Sequence, residues 1–155
     1  MSALWEPTVK EVLADHTWGF ARARSTLAAT TAPSFGFDCA YQLPSDFIRM
    51  VYMGEPEDEY IWKIEGDKLL TDETTAEITY IKYISDATKY PPKFVTSLAC
   101  LLSARAADSI AGMDTSKKKE MGQAYEKSIL DAATVDSQDS SPMAFSVNRW
   151  VDARR

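Results

Sequence analysis

The stretch YIWKIEGDKLLTDETTAEITYIKYI, residues 60–84, decides how this 155-residue chain is read. Tyr60, Trp62 and Ile64 fall on one face of an extended run, and Gly66-Asp67, with glycine first, suits a type II′ hairpin turn into Lys68–Thr71. AEITYIKYI, residues 76–84, then sets β-branched and aromatic residues on both faces of a further strand. Just upstream, FIRMVYM at 47–53 alternates well enough for a strand, and MGEPEDEY is an acidic turn leading to the hairpin. These four runs predict one small antiparallel sheet over about 47–84.

Outward from the sheet the period changes. Tyr90-Pro91-Pro92 closes the strand region, and Phe94, Val95, Leu98, Leu101, Leu102 and Arg105 follow a helical stripe to about residue 112. Gly112 is a stop and Asp114 or Thr115 an N-cap, so a second helix is expected over 115–135, with Met121, Tyr125, Ser128, Ile129 and Ala132 on one side. The short connection makes the pair an antiparallel hairpin. Toward the N-terminus a helix is expected over 6–16, with Pro7 in the first helical position and Val9, Val12, Leu13 and His16 on one face. Residues 18–28 read as extended, because Gly19 and the alternation Ala21-Arg22-Ala23-Arg24 outweigh the alanine content. TTAPSFGFDCAYQLPSD, residues 30–46, is rich in turn formers and reads as an ordered loop or two short extended pieces, anchored to the core by Phe35, Phe37 and Tyr41. After Val135, the Asp- and Ser-rich residues 136–143 are a polar linker before AFSVNRWVDARR. The expected fold class is therefore α+β: a helical bundle of one N-terminal helix and a C-terminal hairpin, bearing a small sheet. A single domain spans 1–136 and an extended tail 137–155.

Composition narrows the function. The chain is 45% hydrophobic and 26% charged, so it can bury a core and is neither a disordered acidic chain nor a fibre. It contains no apolar run long enough to span a membrane, and MSALWEPTVKE does not resemble a signal peptide. A soluble protein made in a cytoplasm, with no membrane partner, is expected. Cys39 and Cys100 belong to no CxxC or Cys/His cluster and His16 is the sole histidine, so a metal site or a His-centred triad has little to work with. No cofactor is expected, and enzyme is the weaker class. The net charge of -6 is local: residues 31–90 carry five basic and twelve acidic groups, residues 91–135 six and five, and the two ends are balanced. Binding to phosphates needs clustered Lys and Arg, so tight nucleic-acid binding is disfavoured.

Several clusters are candidate sites. Glu55, Glu57, Asp58 and Glu59 lie near the hairpin base, with Glu65 and Asp67 at its tip, and paired carboxylates can cleave sugars, but no spacing defines a cleft. His16 at a helix end reads as a C-terminal cation or a core contact. Lys117, Lys118 and Lys119 read as a solvated face or a contact with an acidic partner, and Arg22 and Arg24 face either solvent or a neighbouring subunit. Cys39 and Cys100 are apolar fillers. The tail carries Phe145, Val147, Arg149 and Trp150, residue types that anchor interfaces, and such groups need a receiving surface on a partner or on the same chain.

The order of four pieces resembles the tail tubular protein A, or head-to-tail adaptor, family of short-tailed bacteriophages. They are EVLADHTWGFARARSTLA at 11–28, FGFDCAYQLPSDFIRMV at 35–51, YIWKIEGDKLLTD at 60–72 and ITYIKYISDATKYPPKFVTSLACLLSARAADSIAG at 78–112. Within them stand W-x-F-A-x-x-R, a Leu-Pro-x-Asp turn, I-E-G-x-x-L-x-T and a Pro-x-F helix start, in that order. The resemblance implies a helical bundle with a small antiparallel sheet, assembled as a twelve-fold ring in the virion neck, and an extended segment from Trp18 to Leu27. The implied partners are the portal protein above and a tail nozzle, similar to tail tubular protein B, below, with DNA passing through the channel without specific binding. Phe145, Val147, Arg149 and Trp150 inherit a portal-facing role, and Arg22, Arg24, Glu65 and Asp67 a lateral or nozzle-facing one. Family members usually carry a further helix ahead of the segment matching 5–16, whereas Met1 stands almost directly at it here; either the gene start is short or another subunit completes the bundle. Two alternatives come from the residues alone: a virion-associated peptidoglycan hydrolase using the carboxylates near Glu57 and Glu59, and a soluble protein-binding module presenting the sheet.

Overall fold

The structure is a computed structural model that describes residues 2–56, 58–109 and 115–138. Among them are three helices, α1 (Ser2–Asp15), α2 (Pro92–Ser109) and α3 (Thr115–Gln138), and seven strands. The strands are β1 (Arg22–Thr26), β2 (Ala29–Thr30), β3 (Cys39–Gln42), β4 (Phe47–Met53), β5 (Trp62–Glu65), β6 (Lys68–Thr71) and β7 (Glu77–Lys82). They form two antiparallel sheets, one ordered β1-β7-β4 and the other β2-β3-β6-β5.

This corrects the expected helical bundle with one small sheet: the fold is mixed α/β with considerable strand content. The physical reason lies in β7. Ile81 belongs to the core shared with the helices, while Ile78 and Tyr80 belong to a second core with Leu69 and Tyr41 of the other sheet and Leu43 just after β3. A strand buried on both faces must be covered twice, so the three-stranded sheet lies between the helices and the four-stranded sheet. Strand β4 divides likewise, with Ile48 and Val51 packed toward the helical core and Met50 and Met53 toward the other. The four runs expected in one sheet are thereby split, β4 and β7 pairing in one and β5 and β6 in the other. Strands β1, β2 and β3 come from segments ahead of residue 47, outside the expected sheet region.

The helical core is built around Trp18. Its ring is 2% exposed, its Nε1–H donates to the Val12 carbonyl at 2.7 Å, and it meets Phe94 edge-on at 5.0 Å. Phe94 in turn meets Phe20 at 5.1 Å and Tyr90 at 4.7 Å, both edge-on, the geometry that ring quadrupoles favour. Val9, Val12 and Leu13 of α1 and Phe94, Leu98 and Leu101 of α2 complete this core with Ala132 of α3. Arg105 on α2 donates to Thr8 Oγ1 at 2.8 Å and pairs with Glu11, tying α2 to α1.

Three further expectations need correction. Helix α1 begins at Ser2, so Pro7 sits inside it and not at its first position; the proline leaves the Ala3 carbonyl without its usual intrahelical donor near the helix start, where such a loss is cheapest. His16 lies beyond the end of α1, with its ring edge-on to Trp18 at 5.0 Å. Phe35 does not anchor its loop: it is 88% exposed, and Tyr41 does the anchoring, buried and donating its hydroxyl to the Glu73 carbonyl at 2.7 Å. The hairpin turn has φ +61° at Gly66 and no positive φ at Asp67, the type II′ pattern.

Candidate functional site

The lateral candidates occupy two different places. Arg22 and Arg24 are exposed on β1, an edge of the three-stranded sheet. Glu65 and Asp67 lie at the tip of the β5–β6 hairpin in the other sheet, where Glu65 pairs with Lys63 at 2.7 Å. The Asp67 carboxylate accepts from Gln42 Nε2 at 3.0 Å, and this bond holds its pKa below the ordinary value. Leu43 N–H donates to the Asp67 carbonyl at 2.9 Å, so the tip is fastened to the end of β3. Among the described residues the arginines and these carboxylates form no ion pair, and the structure does not gather them into one cluster.

The acidic turn is built by its own hydrogen bonds. Asp58 Oδ2 accepts from the Glu55 N–H at 2.8 Å, and the Asp58 N–H donates to the Glu55 carbonyl at 3.1 Å. Gly54 enters this turn at φ +69°, and a Cβ there would stand 2.4 Å from the Tyr60 ring. The Asp58 charge, first of several causes, raises the Tyr60 phenol pKa. Asp58 and Glu59 are exposed, and Glu57 lies outside the described residues. What the sequence did not reveal is that the register of β1 against β7 brings Arg24, Thr26, Glu77 and Thr79 beside Glu55, lining a shallow cleft of about 230 Å³. No spacing signal marks it, since its residues come from three separate segments. One arginine and two exposed carboxylates lining the same cleft can bind or orient a polar group.

Asp46, the last residue of the Leu-Pro-x-Asp turn, is a structural joint. Its carboxylate accepts from the Tyr80 hydroxyl at 3.1 Å and its carbonyl from the Tyr83 N–H at 2.7 Å. Burial first, and this bond second, push the Tyr80 phenol up to about 12. Asp15 plays a similar part at the end of α1, accepting from the Tyr125 hydroxyl of α3 at 2.5 Å, and burial and this bond raise the Tyr125 pKa.

A second concavity lies between α2 and α3, with a volume of about 520 Å³. Val95, Ala99, Cys100 and Ser103 line it from α2, and Met121 and Ala124 from α3. Lys119 is exposed on the first turns of α3. The tail candidates Phe145, Val147, Arg149 and Trp150 lie outside the described residues, as do the side chains of Lys117 and Lys118. Among the described residues no group of three or more His, Cys, Asp or Glu could hold a metal ion, and no helix is long and apolar enough to cross a membrane. No protein-family model matches this sequence, and no curated protein matches it either.

Proposed function

We propose that this chain is a structural, non-enzymatic subunit of a bacteriophage head-to-tail adaptor of the tail tubular protein A kind. Copies form a ring, twelve in this reading, between the portal protein and a tail nozzle in the virion neck. The observation that carries the reading is the order of the four sequence pieces between residues 11 and 112. Their distinctive residues do packing work: Trp18, Ala21 and Phe94 are buried, Asp46 receives Tyr80, and Gly66 makes the hairpin turn. Residues that build joints and not a reaction centre are what a structural subunit needs.

The acidic excess of residues 31–90 fits a channel wall that lets DNA pass without holding it, because such a wall repels phosphates. A head-to-tail contact between copies closes into a ring when its rotation closes. In this reading Phe145, Val147, Arg149 and Trp150 meet the portal, and Arg22, Arg24, Glu65 and Asp67 meet a neighbouring copy or the nozzle. Electron microscopy and native mass spectrometry of the chain mixed with the cognate portal test it. Rings on the portal are expected, and a chain that stays monomeric and ignores the portal at high concentration overturns the reading. Deleting residues 139–155 should keep the far-ultraviolet circular dichroism and weaken portal attachment; unchanged attachment removes the portal role from the tail.

A further inference from the structure

Each sheet ends in an edge strand, and the charges on these two edges are complementary. Strand β1 ends the three-stranded sheet and β5 the four-stranded one, and among the described residues no strand pairs with the outer edge of either. Along β1, Arg22, Arg24 and Thr26 are exposed on one face, with Ala23 and Ser25 on the other. Along β5, Lys63 and Glu65 share an exposed face, and exposed Asp67 follows two residues later in the turn. Among the described residues Arg24 makes no ion pair with Glu55 or Glu77, its neighbours in the cleft, so its charge is available to another copy. Backbone groups on a sheet edge are a template for a further strand, and the charges along the edge select which strand that is.

We infer that β5 of one copy pairs antiparallel with β1 of the next, so that the lateral contact, resting on the ring proposed above, is a sheet continued from copy to copy. The charge spacing fixes the register. With Glu65 opposite Arg24, Asp67 falls opposite Arg22 and Lys63 opposite Thr26, because both charge patterns repeat every second residue. Two opposite-charge pairs then lie on one face, while Ser25 meets Ile64 on the other. Run parallel, the same charge match overlaps the strands at one position, Arg22 with Glu65, because β1 starts at the first and β5 ends at the second. Pairing β5 with another β5 would match Lys63 to Glu65, which already pair within one copy at 2.7 Å, and pairing β1 with β1 sets arginine against arginine. The two edges also stand apart on each copy. Strand β1 leads through Leu27 and Ala28 into β2, and β2 lies at the opposite edge of its sheet from β5, about 14 Å away across three strand spacings. A contact that uses two different surfaces of every copy is heterologous, the kind that closes into a ring. Ile61 and Trp62, 76% and 38% exposed at the start of β5, lie at the end of this ladder, where the neighbouring copy shields them from water.

Crosslinking tests the register directly. In the full chain carrying Cys39→Ser, Cys100→Ser, Thr26→Cys and Lys63→Cys, mild oxidation of the assembly formed with the cognate portal should join position 26 of one copy to position 63 of the next, read as a ladder of linked multimers and as the joined peptide by mass spectrometry; opposed strand positions lie within disulfide reach. Bonds between two positions 63 or two positions 26, or rings that do not crosslink, overturn the edge pairing and leave the ring standing. Failure of the unsubstituted chain to form any ring overturns the ring, and the edge pairing with it. A charge exchange supplies the second measurement. Arg24→Glu should raise the concentration needed for ring formation about tenfold by setting like charges opposite each other, and adding Glu65→Arg should restore it, with circular dichroism confirming the fold of both variants. Because Glu65 is not part of the cleft that Arg24 lines, a role for Arg24 confined to that cleft predicts no rescue, and absence of rescue overturns the pairing.

Discussion

The two faces of the three-stranded sheet are held by different kinds of contact. On the helix side, Trp18, Phe20, Tyr90 and Phe94 form a continuous edge-to-face ring cluster, closed by aliphatic side chains of α1 and α2. On the side of the second sheet, Leu27, Leu43, Met50, Met53, Leu69 and Ile78 pack without such a cluster, with Phe47 stacked on Tyr80 at 5.7 Å. Polar braces stitch this second face, Tyr80 to Asp46 and Tyr41 to the Glu73 carbonyl. The helical face thus concentrates its stability in a few large rings, and the sheet-to-sheet face spreads it over many smaller side chains and fixes position by hydrogen bonds.

Removing the centre of each face breaks this contrast most directly. Trp18→Ala should cost about 3–5 kcal/mol, losing the ring contacts and leaving a cavity. Leu69→Ala, fully buried in the other face, should cost less, about 2–4 kcal/mol. Urea midpoints at unchanged m-value rank the two, and a larger cost at Leu69 would reverse the assignment of the dominant core. Next in size, Gly54→Ala should cost about 1–2 kcal/mol, because the left-handed φ and the nearby Tyr60 ring both resist a Cβ. Adding Tyr60→Ala should recover part of that loss in a double-mutant cycle, and no recovery would leave the cost to the backbone and to the Asp58 carboxylate, whose Oδ2 would stand 2.7 Å from that Cβ.

The smallest effect sharpens the role of the polar braces. Tyr80→Phe should cost about 0.5–1.5 kcal/mol at neutral pH by losing one hydrogen bond to Asp46. Its pH dependence is more telling. The Tyr80 phenol, pushed up to about 12 from 10.0, keeps its proton in the folded state when the unfolded chain has already lost it. This contribution is fully present below pH 10 and is lost as pH rises toward 12. Stability measured by urea titration should therefore fall across that window in the wild type, and the Tyr80 part of the fall should vanish in Tyr80→Phe. Identical slopes would show that the Tyr80 phenol is not held above its ordinary value in the folded state.

Legibility followed the same divide. Val9, Val12 and Leu13, and Phe94, Leu98 and Leu101, stand at three- and four-residue spacings that mark a buried helix face before any partner is known. Gly66 marks its turn because only glycine takes that φ without cost. By contrast β2 is two residues long and β3 four, set among turn formers, and their pairing partners Tyr41, Ala40, Leu69 and Leu70 become visible only once the strands are in register. The cleft of Arg24, Glu55 and Glu77 has no sequence signal for the same reason, since three segments far apart in sequence meet only through that register. Phe35 misled because an aromatic residue among turn formers carries no signal of whether a core lies within reach.

By itself the sequence determined the helical stripes, the β5–β6 hairpin and the local acidity of residues 31–90, because period, turn chemistry and charge are properties of neighbours along the chain. Only the tertiary structure decided that there are two sheets and that β7 separates two cores. That outcome depends on what covers Ile78, Tyr80 and Ile81, and the covering side chains lie in strands and helices that local pattern cannot place in space.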